Sequence, residues 1–246
     1  MQVRVNRDPQ AIALCFASAL LATGCVNDPA PDAGPTVVAT GRVARSMAGA
    51  RFEDLVGLSG AAVCVLGMSE VCTMTAPDGA YRLEGVPGVS RVALTFESAG
   101  YGGALAAVVT DDRPLLLDMA LTPADEITAL DAMAGVARDP SLGAVAFIVI
   151  DTAGVEGVSA DIEPAPHDGP FYTNDDRTVS LSRTATSTRG YGVALNVPVG
   201  AVRLILTHAT RRCDEAVIGW SSEDGPGVEA PIVAGLETSL VVRCAP

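Results

Sequence analysis

Thr75-Ala76-Pro77-Asp78-Gly79-Ala80-Tyr81-Arg82-Leu83-Glu84-Gly85-Val86-Pro87-Gly88 is the stretch whose reading decides the fold. Pro77-Asp78-Gly79 supplies a preset φ, a side chain that closes a local turn and a residue that accepts positive φ, so the chain reverses there. A short strand follows and Val86-Pro87-Gly88 turns again. Val92, Leu94 and Phe96 then alternate with Arg91, Ala93 and Thr95, the period-2 pattern of a strand with one buried face. The pattern returns as Thr186-Ser187-Thr188-Arg189-Gly190-Tyr191-Gly192-Val193-Ala194-Leu195-Asn196-Val197-Pro198-Val199-Gly200, with Arg203-Leu204-Ile205-Leu206-Thr207 as its alternating strand. Arg91-Val92-Ala93-Leu94-Thr95 and Arg203-Leu204-Ile205-Leu206-Thr207 match at an offset of 112, which reads as a duplicated domain.

Around these corners the order of elements repeats. Val37-Val38-Ala39-Thr40-Gly41-Arg42-Val43-Ala44 opens the first copy, and Gly60-Ala61-Ala62-Val63-Cys64-Val65 re-enters a strand. Gly143-Ala144-Val145-Ala146-Phe147-Ile148-Val149-Ile150 opens the second copy, aligned on Gly41-Arg42-Val43, and Gly157-Val158-Ser159-Ala160-Asp161-Ile162 follows. Short strands with turn residues between them predict an all-β fold of two tandem Ig-like or prealbumin-like antiparallel β-sandwiches. The sandwiches are expected over residues 38–122 and 141–246, with a helical linker at 123–140. Thr122-Pro123-Ala124-Asp125 offers a capping hydroxyl, a proline for the first helical position and an early carboxylate. Ile127, Leu130 and Ala134 share one helix face, and Asp139-Pro140 is read as the stop.

Hydrophobic residues make up 49% of the chain, and all 16 basic residues are arginine against 29 acidic ones, a net charge of −13. That balance argues against nucleic acid, whose binding depends on neutralising phosphates. The absence of lysine removes Schiff-base chemistry, a P-loop and a Ser-Lys dyad.

At the N-terminus, Arg4 and Arg7 precede the apolar stretch at 11–22, too short to span a bilayer and of the length of a secretory h-region. Leu21-Ala22-Thr23-Gly24-Cys25 resembles the lipobox of bacterial lipoproteins, with leucine one place further from the cysteine than is usual. The resemblance implies a signal peptide over 1–24, lipidation of Cys25 and, with Val26 rather than Asp next, the outer membrane. Residues 25–37, rich in Pro and Asp, then read as a flexible tether.

Six cysteines are present, and removal of Cys15 and lipidation of Cys25 would leave Cys64, Cys72, Cys213 and Cys244. Three pairings are open to them in an oxidising compartment. Cys64 and Cys72 flank a Gly-containing turn, and the favoured pairing is Cys64 with Cys72 and Cys213 with Cys244. Neither a Cys-x-x-Cys spacing nor nearby histidine supports a zinc site.

Gly60-Ala61-Ala62-Val63, residues 75–83, Val86-Pro87-Gly88 and residues 91–96 together resemble the carboxypeptidase regulatory-like domain, a prealbumin-like sandwich. The second copy is degenerate: Arg189-Gly190 stands for Asp-Gly, and Pro198-Val199-Gly200 has gained a residue. The resemblance implies turns and core rather than an active site. A metallocarboxypeptidase zinc needs His and Glu ligands with an open position, and the only histidines are His167 and His208. No Gly-x-Ser-x-Gly elbow occurs. The expectation is a non-enzyme without a cofactor, structural or adhesive, anchored to a membrane through lipid and meeting envelope proteins or glycans.

Two ligand readings stand beside it. The insert at 163–178 carries or adjoins Asp161, Glu163, His167, Asp168, Asn174, Asp175 and Asp176; Asp168, Asp175 and Asp176 are the calcium candidates, though their spacing fits no known loop. Trp220, Tyr172 and Phe171 could form a platform on which a sugar stacks, as in a carbohydrate-binding module.

Overall fold

The computed structural model describes residues 34–47, 52–151, 154–176 and 178–245. The expected signal peptide, Cys25 and most of the expected tether lie outside them. The first half comprises β1 (Thr36–Arg45), β2 (Ala62–Val65), β3 (Met68–Met74), β4 (Ala80–Pro87), β5 (Arg91–Glu97), β6 (Gly103–Val109), β7 (Leu115–Leu116) and β8 (Met119–Leu121). Helix α1 (Ala124–Ala134) follows. The second half comprises β9 (Gly143–Ile150), β10 (Ser159–Glu163), β11 (Asp168–Thr173), β12 (Val179–Ser180), β13 (Tyr191–Val197), β14 (Gly200–Thr207), β15 (Arg212–Ile218), β16 (Trp220–Ser221), β17 (Val228–Ile232) and β18 (Leu236–Ala245). The class is all-β, and β1 begins inside the stretch read as tether.

Each half has its own core. In the first, Ala39 and Val43 of β1 and Leu83 and Val86 of β4 face Val63, Leu94, Phe96 and Ala106 of the opposite sheet. In the second, Val145, Phe147, Leu240 and Val242 face Ile162, Val202, Leu204 and Ala230. The sheets, however, are joined. One sheet orders its strands β12-β11-β13-β9-β18-β6-β5-β2-β3, and β18 lies parallel to β9 on one side and to β6 on the other. β1 also pairs in parallel, with β7 and β8. Period-2 alternation shows that a strand has a buried face but says nothing of its neighbour's direction, so these parallel pairings were not readable from it.

β6 carries the seam. Ala104, Ala106 and Val108 enter the first core, whereas Ala107 enters the second. Beyond the reach of β18, Gly219 N–H donates to Ala107 O at 2.7 Å and Trp220 Nε1–H donates to Val108 O at 3.0 Å. Arg91 of β5 then crosses to the second half: its guanidinium lies 5.8 Å from the Trp220 ring centroid, donates to Ser221 O at 2.9 Å and pairs with Glu223 at 3.1 Å. A strand buried on both faces reads as a near-continuous apolar run, as β6 and β9 do.

The two corners that revealed the duplication are alike bond for bond. Thr75 Oγ1, buried, donates to Leu58 O at 2.5 Å and accepts from Ala61 N–H at 2.9 Å. Thr186 Oγ1 donates to Val155 O at 2.6 Å and accepts from Val158 N–H at 3.0 Å. Gly79 and Gly190, both at positive φ, send their carbonyls to Val43 N–H and Val149 N–H, and a Cβ on either would overlap the oxygen of that same valine. These bonds make Val149 the counterpart of Val43. The opening strand of the second copy is therefore shifted from the alignment of Gly143 on Gly41: the apolar run 143–150 gave no mark of register, whereas hydrogen bonds do.

On that register Gly41 corresponds to Phe147 and Tyr81 to Gly192. Gly41 is paired with Tyr81 across β1–β4, and Phe147 with Gly192 across β9–β13. Each copy thus places one aromatic over one glycine, on opposite strands. A Cβ on Gly192 would overlap the Phe147 ring. Each ring also makes an edge contact, Tyr81 with Phe96 at 6.0 Å and Phe147 with Tyr172 at 6.2 Å.

Two details of the linker differ from expectation. Pro123, not Thr122, is the N-cap, and no side chain caps the helix. The helix also ends before Asp139-Pro140: Gly135 takes φ 71°, with Val136 N–H bonded to Asp131 O at 3.0 Å, the left-handed stop that glycine supplies more cheaply than proline. Both disulfides have the expected pairing. Cys64 faces Cys72 across β2–β3 and Cys213 faces Cys244 across β15–β18.

Thr75→Val and Thr186→Val should each cost about 2 kcal/mol, because each strands a buried amide and a buried carbonyl, while the Ser variants should cost less than half as much. Urea unfolding checks both sites; unequal costs would break the equivalence of the corners. Gly192→Ala should cost about 1–3 kcal/mol by overpacking, and Phe147→Leu in the same chain should recover part of it. A double-mutant cycle with no coupling would show that the ring does not dictate the glycine.

Candidate functional site

The aromatic platform is not assembled. Tyr172 is buried at 3% exposure in the second core, where its hydroxyl accepts from Ala160 N–H at 2.8 Å. Burial raises its pKa. Phe171, next along β11 and so facing the other side of the sheet, packs with Ala134, Ala144 and Leu195. Trp220 is committed to the seam. Adjacent residues of one strand point to opposite faces, so Phe171 and Tyr172 could not have shared a platform once β11 formed.

The acidic insert does not converge either. Among the described residues no group of three or more potential ligands could hold a metal ion. Asp161 and Glu163 are exposed on β10, whereas the insert leaves that sheet and adds β11 and β12 to the edge of β13. Asp168 Oδ2 accepts from Asn196 Nδ2 at 2.7 Å. Asn196, at φ 53°, also donates to Ala137 O and accepts from Asp139 N–H, and so ties the insert to the linker. Asp175 accepts from the Thr188 hydroxyl and Asp176 from the hydroxyl and N–H of Thr178; these bonds hold both carboxyls below the usual range. With folded pKa values below the unfolded ones, their contribution is present above the ordinary carboxylate pKa and is lost as pH falls through the folded values. Asn174 bonds Thr178 and Arg183.

The histidines have local partners. His208 Nδ1 accepts from the N–H groups of Thr210 and Arg211 at 3.2 and 3.1 Å, closing the turn between β14 and β15. His167 Nε2 lies 2.9 Å from Ile162 O, which makes Nε2 the protonated nitrogen. The arginines beside His208 are matched: Arg211 pairs with Asp151 at 2.8 Å and Arg212 with Asp214 at 2.5 Å. They line an open cleft of about 750 Å³.

Glu237 is a carboxylate whose surroundings disfavour its charge. It lies on β18 between Ala104 of β6 and Ala144 of β9, two residues small enough to make room. Burial raises its pKa, the positive charge of Arg138 opposes the rise and Asp131 adds to it. Arg138 and Asp131 are themselves paired at 2.8 Å.

What remains is a groove of about 360 Å³ where the halves meet. Its walls are the end of β6 (Val108, Val109), residues 115–118 with β7, and residues 216–219 at the end of β15. Val109, Leu116 and Val217 are 62%, 74% and 41% exposed. Among the described residues β7 is paired only with β1, and β15 only with β18. Asp118 stands exposed at one wall, its Oδ1 accepting from Arg42 N–H at 2.8 Å. Its charge, together with burial, raises the pKa of Tyr81, burial being the larger cause. Sequence reading missed this site because its residues come from three separated segments and none is chemically distinctive.

No protein-family model matches the chain, and no curated protein does. Among solved structures it is similar to the TIE protein of Bacillus anthracis, with 14% identity over 85% of this chain and 34% of that one and a TM-score of 0.28. It is similar also to a streptococcal ancillary pilin, with 14% identity over 86% of this chain and 63% of that one and a TM-score of 0.26. The shaft pilin SpaA of Lactobacillus rhamnosus GG matches at 11% identity over 86% of this chain and 98% of that one, with a TM-score of 0.25. The chain thus spans about a third of the first and under two thirds of the second. Likeness at this level carries no inference about what the chain does.

Proposed function

We propose that this chain is a non-catalytic lipoprotein of the cell envelope, acylated at Cys25 and carried on the outer membrane, in which two fused β-sandwiches serve a structural or adhesive role toward protein or envelope components. The observation that carries the reading is the sequence Leu21-Ala22-Thr23-Gly24-Cys25, behind a secretory-length apolar stretch and ahead of a Pro- and Asp-rich tether. Acyl chains at about 0.8 kcal/mol per buried methylene hold a protein on a bilayer when two or more are present, so no membrane-spanning helix is required. Among the described residues no helix is long and apolar enough to cross a membrane.

The body favours a scaffold over an enzyme for a positive reason. His167, His208, Asp168, Asp175 and Asp176 each have at least one polar atom engaged in a turn, an insert or a linker. Two disulfides cross-link paired antiparallel strands, one in each half, as suits a module that must keep its shape in an oxidising compartment.

Intact mass of the protein recovered from membranes is the test. The expected species begins at Cys25, carries the added mass of acyl chains and shows the mass deficit of both disulfides; Cys25→Ser should leave the membrane fraction. An unmodified mature mass in the soluble fraction would remove the anchoring claim.

A further inference from the structure

The groove at the seam is bounded by two β-strands, each hydrogen-bonded along one side only. β7 turns one edge to β1 and β15 one edge to β18, so the groove receives the other edge of each. An unpaired strand edge presents a row of N–H and C=O groups that an added strand satisfies. The side chains above these edges are apolar and exposed: Val109 at 62%, Leu116 at 74% and Val217 at 41%. They stand together rather than scattered, and clustered exposed apolar groups mark interaction sites. Within the edges themselves, Leu115-Leu116 of β7 and Ala216-Val217-Ile218 of β15, there is neither charge nor proline; Pro114 precedes β7 and the β15 ladder shifts register between Ala216 and Ile218, so the pairing on offer is a few residues long.

Charge specifies the occupant. Asp118 is exposed at the wall, and among the described residues its recorded bond is to a backbone N–H rather than to a cation. Nearby acids differ: Asp111 is paired with Arg113, and Glu215 with Arg243. The whole chain is acidic at −13, so a basic segment is also drawn to it at long range. A second copy of this chain is disfavoured by the same net charge. Arg113 and Arg243 are already matched to Asp111 and Glu215.

We infer that the seam groove accepts an extended strand from another polypeptide, apolar on the side that meets Val109, Leu116 and Val217 and carrying one Lys or Arg that faces Asp118. The inference rests on the scaffold reading, for which it supplies the surface, and it requires no particular anchor.

The probe is a dye-labelled synthetic peptide of about six residues, an ordinary strand length, alternating valine and threonine with one threonine replaced by arginine. Binding to the intact chain is followed by fluorescence anisotropy and by amide hydrogen exchange. The expected result is binding with slowed exchange at residues 115–118 and 216–219. N-methylation of alternate peptide nitrogens should abolish binding. Asp118→Asn, which keeps the acceptor for Arg42 N–H, should weaken it about fivefold, the scale of one exposed ion pair. Val217→Asp, at an exposed site, should remove it while leaving the far-ultraviolet spectrum unchanged. Equal binding by the N-methylated peptide, protection elsewhere, no binding at all, or sedimentation showing a dimer that Val217→Asp dissociates would each overturn the inference. Those failures would leave the anchored scaffold standing, since membrane mass and fractionation judge it separately.

Discussion

Pairing of β18 on both of its sides is the constraint from which the rest of the molecule follows. A strand between β9 and β6 must satisfy two ladders, and its neighbours must let it approach across faces that are packed above and below. Glycine and alanine therefore recur where the ladders run: Gly103, Ala104, Ala106 and Ala107 on β6, and Gly143, Ala144 and Ala146 on β9. The same pairing denies either half its independence. Two cores exist, but the sheet behind one is a continuation of the sheet behind the other. The Arg91–Trp220 contact then fastens the line at which β18 gives way to Gly219.

Duplication explains which features are shared and which are not. The corners kept their hydroxyl clamps, since a buried amide and carbonyl at the same turn need the same answer. Other solutions were free to change hands. Both copies set a ring against a glycine, yet one places the ring on β4, the later strand of its pair, and the other on β9, the earlier, because the filled volume matters and the strand that donates it does not. The bridges diverged as well: Cys64–Cys72 joins a partly exposed hairpin at the sheet's far end, whereas Cys213 and Cys244 are 6% and 1% exposed within a core.

Much of this was legible in the residues. Pro77-Asp78-Gly79, the repeated alternation after Arg91 and Arg203, and the spacing of Cys64 and Cys72 depend on local geometry, which sequence carries directly. Partnership between distant strands does not. The runs at 104–108 and 143–150 do hold a clue, since loss of alternation signals burial on both faces, but they do not say against what. Thr122 and Pro140 were plausible helix ends; Pro123 and Gly135 prevailed because a left-handed glycine closes a helix within the turn it ends. Phe171 and Tyr172 looked like one aromatic feature until strand geometry sent them to opposite sides. The seam groove left no trace in sequence at all, being a property of where edges stop.

Position in the chain gives β18 a further consequence. It follows every other described strand, yet it fills the middle of the largest sheet, so during synthesis the inner margin of β6 waits without its mate while the whole second half is made. Contacts so remote in sequence form slowly, and a bare apolar margin invites the wrong neighbour. Truncation anywhere ahead of Leu236 should thus spoil the earlier half as well as the later one, and a nascent chain of this design depends on being shielded until β18 arrives.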